Sequence, residues 1–85
     1  MPDKPLKILV VDDSNTIRKS AEIFLKQGGH EVLLAEDGFD ALAKINDYEP
    51  QLVFCDILMP RLDGYQTCAI IKRNAKFAQT PVVML

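Results

Sequence analysis

The sequence predicts an α/β fold, a parallel sheet with alternating helices. Three observations carry this: short continuous apolar runs, helical apolar spacing in the intervals between them, and intervals long enough to serve as crossovers. The runs at residues 8–11, 52–55 and 82–85 are rich in Val, Leu or Ile and do not alternate with polar residues, as suits strands covered on both faces. A fourth run, residues 32–35, follows Gly28, Gly29 and His30 and sits between charged residues, which places it nearer a sheet edge.

The intervals justify the helices in turn. Ile17, Ala21, Phe24 and Leu25 recur at helical spacing behind Ser14, a candidate N-cap, and before Gly28, a candidate stop. Phe39, Leu42 and Ile45 repeat the spacing behind Asp37 and Gly38. Tyr65, Cys68, Ile71 and Ala75 share a third face, with Asp63 ahead of them to accept from the first free backbone N–H groups.

With 85 residues the chain holds one small domain. Ten Lys and Arg against 12 Asp and Glu leave a net charge of −2, with no basic excess to neutralise a run of phosphates, so nucleic acid is not an expected partner. Hydrophobic residues at 48% and charged residues at 26% describe a packed domain rather than a disordered tail. No run reaches membrane-spanning length, and residues 1–6 are polar and proline-bearing, unlike a signal peptide. A cytoplasmic protein without membrane insertion is expected. Cys55 and Cys68 have neither a second pair nor a nearby His to complete a zinc set, and read as buried, reduced thiols.

Ligands of an open parallel sheet bind at the carboxyl ends of its strands. The first strand ends in Asp12 and Asp13 and the third in Asp56, which gathers three carboxylates at one edge if those strands are neighbours. Such charges repel unless a cation joins them. Oxygen ligands with places left for water or phosphate match Mg²⁺. A carboxylate beside Mg²⁺ also serves as a nucleophile towards phosphorus, and Asp56 is the candidate, held by the apolar run before it and followed by a loop that Pro60 and Gly64 restrict.

Simpler roles compete. Asp12 and Asp13 can cap the first helix, and a lone Asp56 can end a strand in a turn. Asp63 reads as a helix cap, Arg61 and Lys72 as solvated surface residues, and Tyr65 and Phe54 as packing groups. His30 reads as a solvated turn residue at the amino edge of the sheet, opposite the acids.

The Asp12-Asp13-Ser14 turn, the Asp37-Gly38 pair with Ala41-Leu42 behind it, and Asp56-Ile57-Leu58-Met59-Pro60 followed by Asp63-Gly64 together resemble the receiver domain of bacterial two-component response regulators. Residues 37–45 and 59–72 also resemble the single-domain regulators of the type IV pilus, or twitching-motility, chemosensory pathway. The resemblance covers essentially the whole chain and implies a flavodoxin-like sheet in order 2-1-3-4-5. It implies that Asp56 is the phosphoacceptor, receiving phosphate from a histidine kinase or phosphotransfer domain. Mg²⁺ would be held by Asp13, Asp56 and the Leu58 carbonyl, with Asp12 assisting through water. The implied role is a phospho-accepting signalling module that assists its own phosphorylation and dephosphorylation and acts on a downstream motility protein, rather than an enzyme. Many members carry a polar side chain where Leu58 stands.

The resemblance also implies elements beyond the fourth strand: a hydroxyl residue, a fourth helix, a fifth strand with a lysine, and a fifth helix. Residues 1–85 therefore read as the N-terminal portion of a receiver, truncated after the fourth strand, with switching impaired, one face of the first helix uncovered and self-association through the open edge expected. Two other functions remain open at this stage. A Mg²⁺-dependent aspartyl-phosphate phosphatase usually has a second acid two residues after its nucleophile, where Leu58 stands. A phosphorylation-independent interaction module would show no Mg²⁺ dependence.

Overall fold

A computed structural model describes residues 4–85, so the first three residues of the polar N-terminal stretch lie outside the described residues. The elements are β1 (Lys7–Val11), α1 (Asn15–Gln27), β2 (Glu31–Ala35), α2 (Gly38–Tyr48), β3 (Leu52–Cys55), α3 (Gly64–Arg73) and β4 (Val82–Met84), with a 3-10 turn at Ala75–Phe77 before β4. All strand pairs are parallel, in the order β2-β1-β3-β4. The α/β class, the parallel sheet and the edge position of β2 are as the sequence predicts.

Alternation along the strands explains the layers. Leu9 and Val11 of β1, with Val53 and Cys55 of β3, join Ala41 and Ile45 of α2, Ile71 of α3 and Phe77 in one sealed core. Ile8 and Val10 of β1 point to the other face and are also buried, so β1 is covered on both sides. Each large apolar side chain sealed in this way stabilises the fold by roughly 1.5–3 kcal/mol.

The helix starts follow their caps. The Ser14 hydroxyl accepts from the Ile17 amide at 3.3 Å, and the Asp37 carboxylate accepts from the Asp40 amide at 2.7 Å. Asp63 and Gln66 form a reciprocal capping box at α3. These local bonds satisfy donors that no helical carbonyl reaches.

Several surface assignments differ from expectation. The buried stripe of α3 is Gly64, Thr67 and Ile71, and Tyr65, expected as a packing group, is 61% exposed. Thr67 tolerates burial because its hydroxyl donates to the Asp63 carbonyl at 2.8 Å, while Gly38 of α2 lets the helices approach it closely. Cys68 is consequently half-buried rather than buried, and α3 stops at Arg73, before Ala75. Lys72 is not merely solvated: its ammonium donates to the carbonyls of Ala78 and Thr80, tying the end of α3 to the approach of β4. His30 does lie at the amino edge, but it is half-buried and its Nδ1 accepts from the Leu6 amide at 3.1 Å.

No residue of α1 is buried. Its apolar side forms, with Val10, Phe54 and Leu85, an open groove of about 550 Å³ on one face of the sheet. Phe24 projects from it at 75% exposure. Among the described residues this face of α1 is open. Among the described residues no helix is long and apolar enough to cross a membrane.

Candidate functional site

Strand register builds the site. Val11 and Cys55 are the last register partners of β1 and β3, so Asp12 and Asp56 emerge side by side at the carboxyl edge. The Asp56 amide donates to the Val11 carbonyl at 2.9 Å, and the Asp12 amide donates to the Ala35 carbonyl of β2 at 3.1 Å. Each acid is thereby anchored by the strand beside it.

The side chains converge as the sequence predicts. Asp12, Asp13 and Asp56 each offer a carboxylate oxygen, and these atoms all lie within 4.8 Å of one another. Asp12 is buried, Asp56 half-buried and Asp13 exposed. Burial, chiefly, raises the Asp12 pKa above the ordinary carboxylate value, and the neighbouring charges of Asp56 and Asp13 raise it further. The Ser14 amide, which donates to its Oδ1 at 2.8 Å, and the Arg18 guanidinium oppose that rise. Asp12 therefore does not act as a simple helix cap: its carboxylate is held inward against two like charges.

Three converging carboxylates with a charge conflict fit a hard divalent cation. Their oxygens leave no soft donor in the set: the nearby Cys55 thiol is buried, and burial, chiefly, pushes its pKa up to about 11, so it stays protonated at neutral pH. Leu58 follows in the loop after β3, its side chain 81% exposed, with its amide donating to Asp56 Oδ1 at 3.4 Å. The loop is closed at its far end by the Gly64 amide, which donates to the Ile57 carbonyl at 2.9 Å.

Gly64 restricts the loop as the sequence predicts, and two further residues, Arg61 and Arg18, make contacts here that sequence reasoning did not place. Gly64 lies against the backbone of Asp56 and Ile57 so closely that a Cβ would come within 2.8 Å of the Ile57 Cα. Arg61, expected as a solvated residue, is exposed but engaged: it adopts a left-handed backbone (φ 68°), pairs with Asp37 at 2.8 Å and lies 5.2 Å from the centre of the Phe39 ring. It links the β3–α3 loop to the start of α2. Arg18 donates to the Asp12 carbonyl at 2.5 Å and to Asn15 Oδ1 at 3.2 Å. Its spacing of six from Asp12 carries no local signal, since the contact exists only once the chain has turned from strand into helix.

A parallel sheet in this order carries an acidic triad at the carboxyl ends of adjacent strands, and comparison with known proteins gives the class of domain. The family model for the response regulator receiver domain matches residues 8–85, and the chain belongs to that family. Among its relatives is Protein PilG of Pseudomonas aeruginosa, 62% identical over 80 residues, which cover 94% of this chain and 59% of PilG. The chain thus spans about three fifths of that relative's length. Solved structures agree on the fold. The N-terminal domain of a response regulator receiver protein from Methanoculleus marisnigri superposes with a TM-score of 0.92 at 36% identity, over 95% of this chain and 66% of that one. Vibrio cholerae chemotaxis protein CheY4 gives a TM-score of 0.91 at 32% identity, over 95% and 68%. The fold and the two-component class expected from the sequence are therefore shown.

Proposed function

We propose that Asp56 accepts a phosphoryl group from a phosphohistidine on a histidine kinase or phosphotransfer domain, and that the modification changes which proteins this receiver binds. The observation that carries this is the half-buried Asp56 carboxylate, open at the strand ends and within 4.8 Å of two further acids. In the transfer, an Asp56 oxygen forms a bond to phosphorus while the phosphorus–nitrogen bond breaks, and the histidine nitrogen keeps the electron pair.

Asp13, Asp56 and the Leu58 carbonyl would hold Mg²⁺, with Asp12 oriented towards it through water. The ion supplies charge neutralisation for the transferring group. The chain's own contributions are positional. The Val11 carbonyl holds the Asp56 backbone, and the Leu58 amide orients the Asp56 carboxylate. The arrangement supports a module that assists its own phosphorylation and dephosphorylation, without turnover of an external substrate. Leu58 at the second position after Asp56 weighs against a phosphatase, which usually carries an acid there.

The likeness to PilG, with the resemblance of residues 37–45 and 59–72 to twitching-motility regulators, supports a role in pilus-based motility, with a motility protein downstream. The open groove beside α1 and the open edge of β4 support self-association of the chain. Incubating the natural polypeptide that carries these residues with phosphoramidate and Mg²⁺, then measuring intact mass, tests the central proposal. One added phosphoryl group is expected in the wild type and none in Asp56→Asn; an equal gain in both would overturn it.

A further inference from the structure

We propose that Arg18 is a positioning residue for the metal site, fixing the peptide unit that joins Asp12 to Asp13. The inference rests on the Mg²⁺ site proposed above and goes beyond it by assigning a residue that is no ligand. Arg18 stands in the first turn of α1 with a half-buried side chain. Its Nη1 donates to the carbonyl of Asp12 at 2.5 Å, while Nη2 donates to Asn15 Oδ1 at 3.2 Å.

A peptide unit is planar. Holding the carbonyl of Asp12 therefore also sets the Asp13 amide, and with it the direction in which the Asp13 side chain leaves the backbone. Asp12 is secured independently, by the Ala35 carbonyl at its amide and by the Ser14 amide at its carboxylate. Asp13 is the exposed member of the cluster, so its direction depends on the backbone that carries it. The guanidinium suits this task because its rigid planar fork meets two acceptors at once, which an ammonium point charge does not reproduce.

Charge alone predicts the opposite effect. A guanidinium beside three carboxylates competes with Mg²⁺ for the same negative potential, so deleting it would tighten binding if electrostatics dominated. The short bond to the Asp12 carbonyl leads us to expect that geometry outweighs that competition. The sign of one mutational effect thus separates the two roles.

The test is a Mg²⁺ titration of the chain, followed through the backbone amide NMR signals of residues 12, 13 and 56, for the wild type, Arg18→Met, Arg18→Lys and Asn15→Ala. Arg18→Met keeps the aliphatic stem and loses the donors. It is expected to weaken binding roughly tenfold and to shift the Asp13 amide signal even without Mg²⁺. Arg18→Lys should restore part of the affinity, and Asn15→Ala, which removes only the brace, should give a smaller loss in the same direction. Should Arg18→Met fail to fold, the Asn15→Ala result decides by the same two signals. Unchanged or tighter binding in Arg18→Met, or in Asn15→Ala where that variant decides, would overturn the positioning role. A wild type that does not bind Mg²⁺ would instead overturn the metal site itself.

Discussion

The Asp56 amide donates to the Val11 carbonyl at 2.9 Å, one step past the last register pair of β1 and β3. This bond sets Asp56 level with Asp12, because the carboxyl end of a parallel ladder carries its next residues out side by side. The acidic cluster is therefore a product of strand order. Were another strand placed between β1 and β3, neighbours about 4.8 Å apart would be separated by twice that distance, and the carboxylates would not share an ion.

Asp13→Ala is expected to lower Mg²⁺ affinity roughly tenfold or more, because fewer carboxylates then offset the cost of dehydrating the ion. Calorimetric titration of the two proteins measures this directly. Equal affinities would place the ion elsewhere.

Asp12→Asn is expected to stabilise the metal-free protein at neutral pH. The folded state raises the Asp12 pKa, chiefly through burial, so its favourable share of stability is present below the unfolded value of 3.8 and is lost as pH rises through the folded pKa. The amide removes that penalty while its oxygen still accepts from the Ser14 amide. Thermal unfolding with chelator should show a gain of a few degrees at pH 7 that disappears at acid pH. A lower melting temperature at pH 7 would contradict the assignment of burial and like charge as the dominant influences.

Gly64→Ala is expected to cost ~1–3 kcal/mol, the range for overpacking a tight contact. The added methyl meets the backbone of Asp56 and Ile57, which cannot rotate away as a flexible side chain would. Urea denaturation gives the loss of stability, and the same sample should show weakened Mg²⁺ binding because Asp56 must move. Wild-type stability would show that the loop absorbs the methyl elsewhere.

Residues 1–85 expressed on their own are expected to self-associate through the groove beside α1 and the edge of β4. Phe24 and Val83 expose apolar surface there, and an open strand edge offers unpaired backbone groups. Sedimentation over a range of concentrations is expected to show association in the wild type and a shift towards monomer in Phe24→Lys. A monodisperse wild-type monomer at every concentration would contradict this.

Strands and site acids were legible because each is written locally. Continuous apolar runs end directly in Asp12 and Asp56, and Ser14, Asp37 and Asp63 cap the helices that follow them. Helix faces were less legible. The α3 stripe turns onto Thr67, whose hydroxyl is satisfied within its own helix, so a residue counted as polar is sealed while Tyr65 faces solvent. The contacts of Arg18, Arg61, Lys72 and His30 escaped because each reaches a carbonyl, carboxylate or amide that becomes its neighbour only in the folded chain. Long polar side chains carry no periodic signal that would give their direction.

The most direct test of the account is to locate the phosphoryl group. The natural polypeptide carrying these residues, treated with phosphoramidate and Mg²⁺ and then with borohydride, should have its acyl phosphate reduced to an alcohol, converting the modified aspartate to homoserine. Tandem mass spectrometry of the peptide spanning β3 and the following loop is expected to find homoserine at position 56 and unmodified aspartate at 12, 13 and 63. Homoserine at one of those positions, with Asp56 intact, would contradict the assignment of Asp56 as the acceptor.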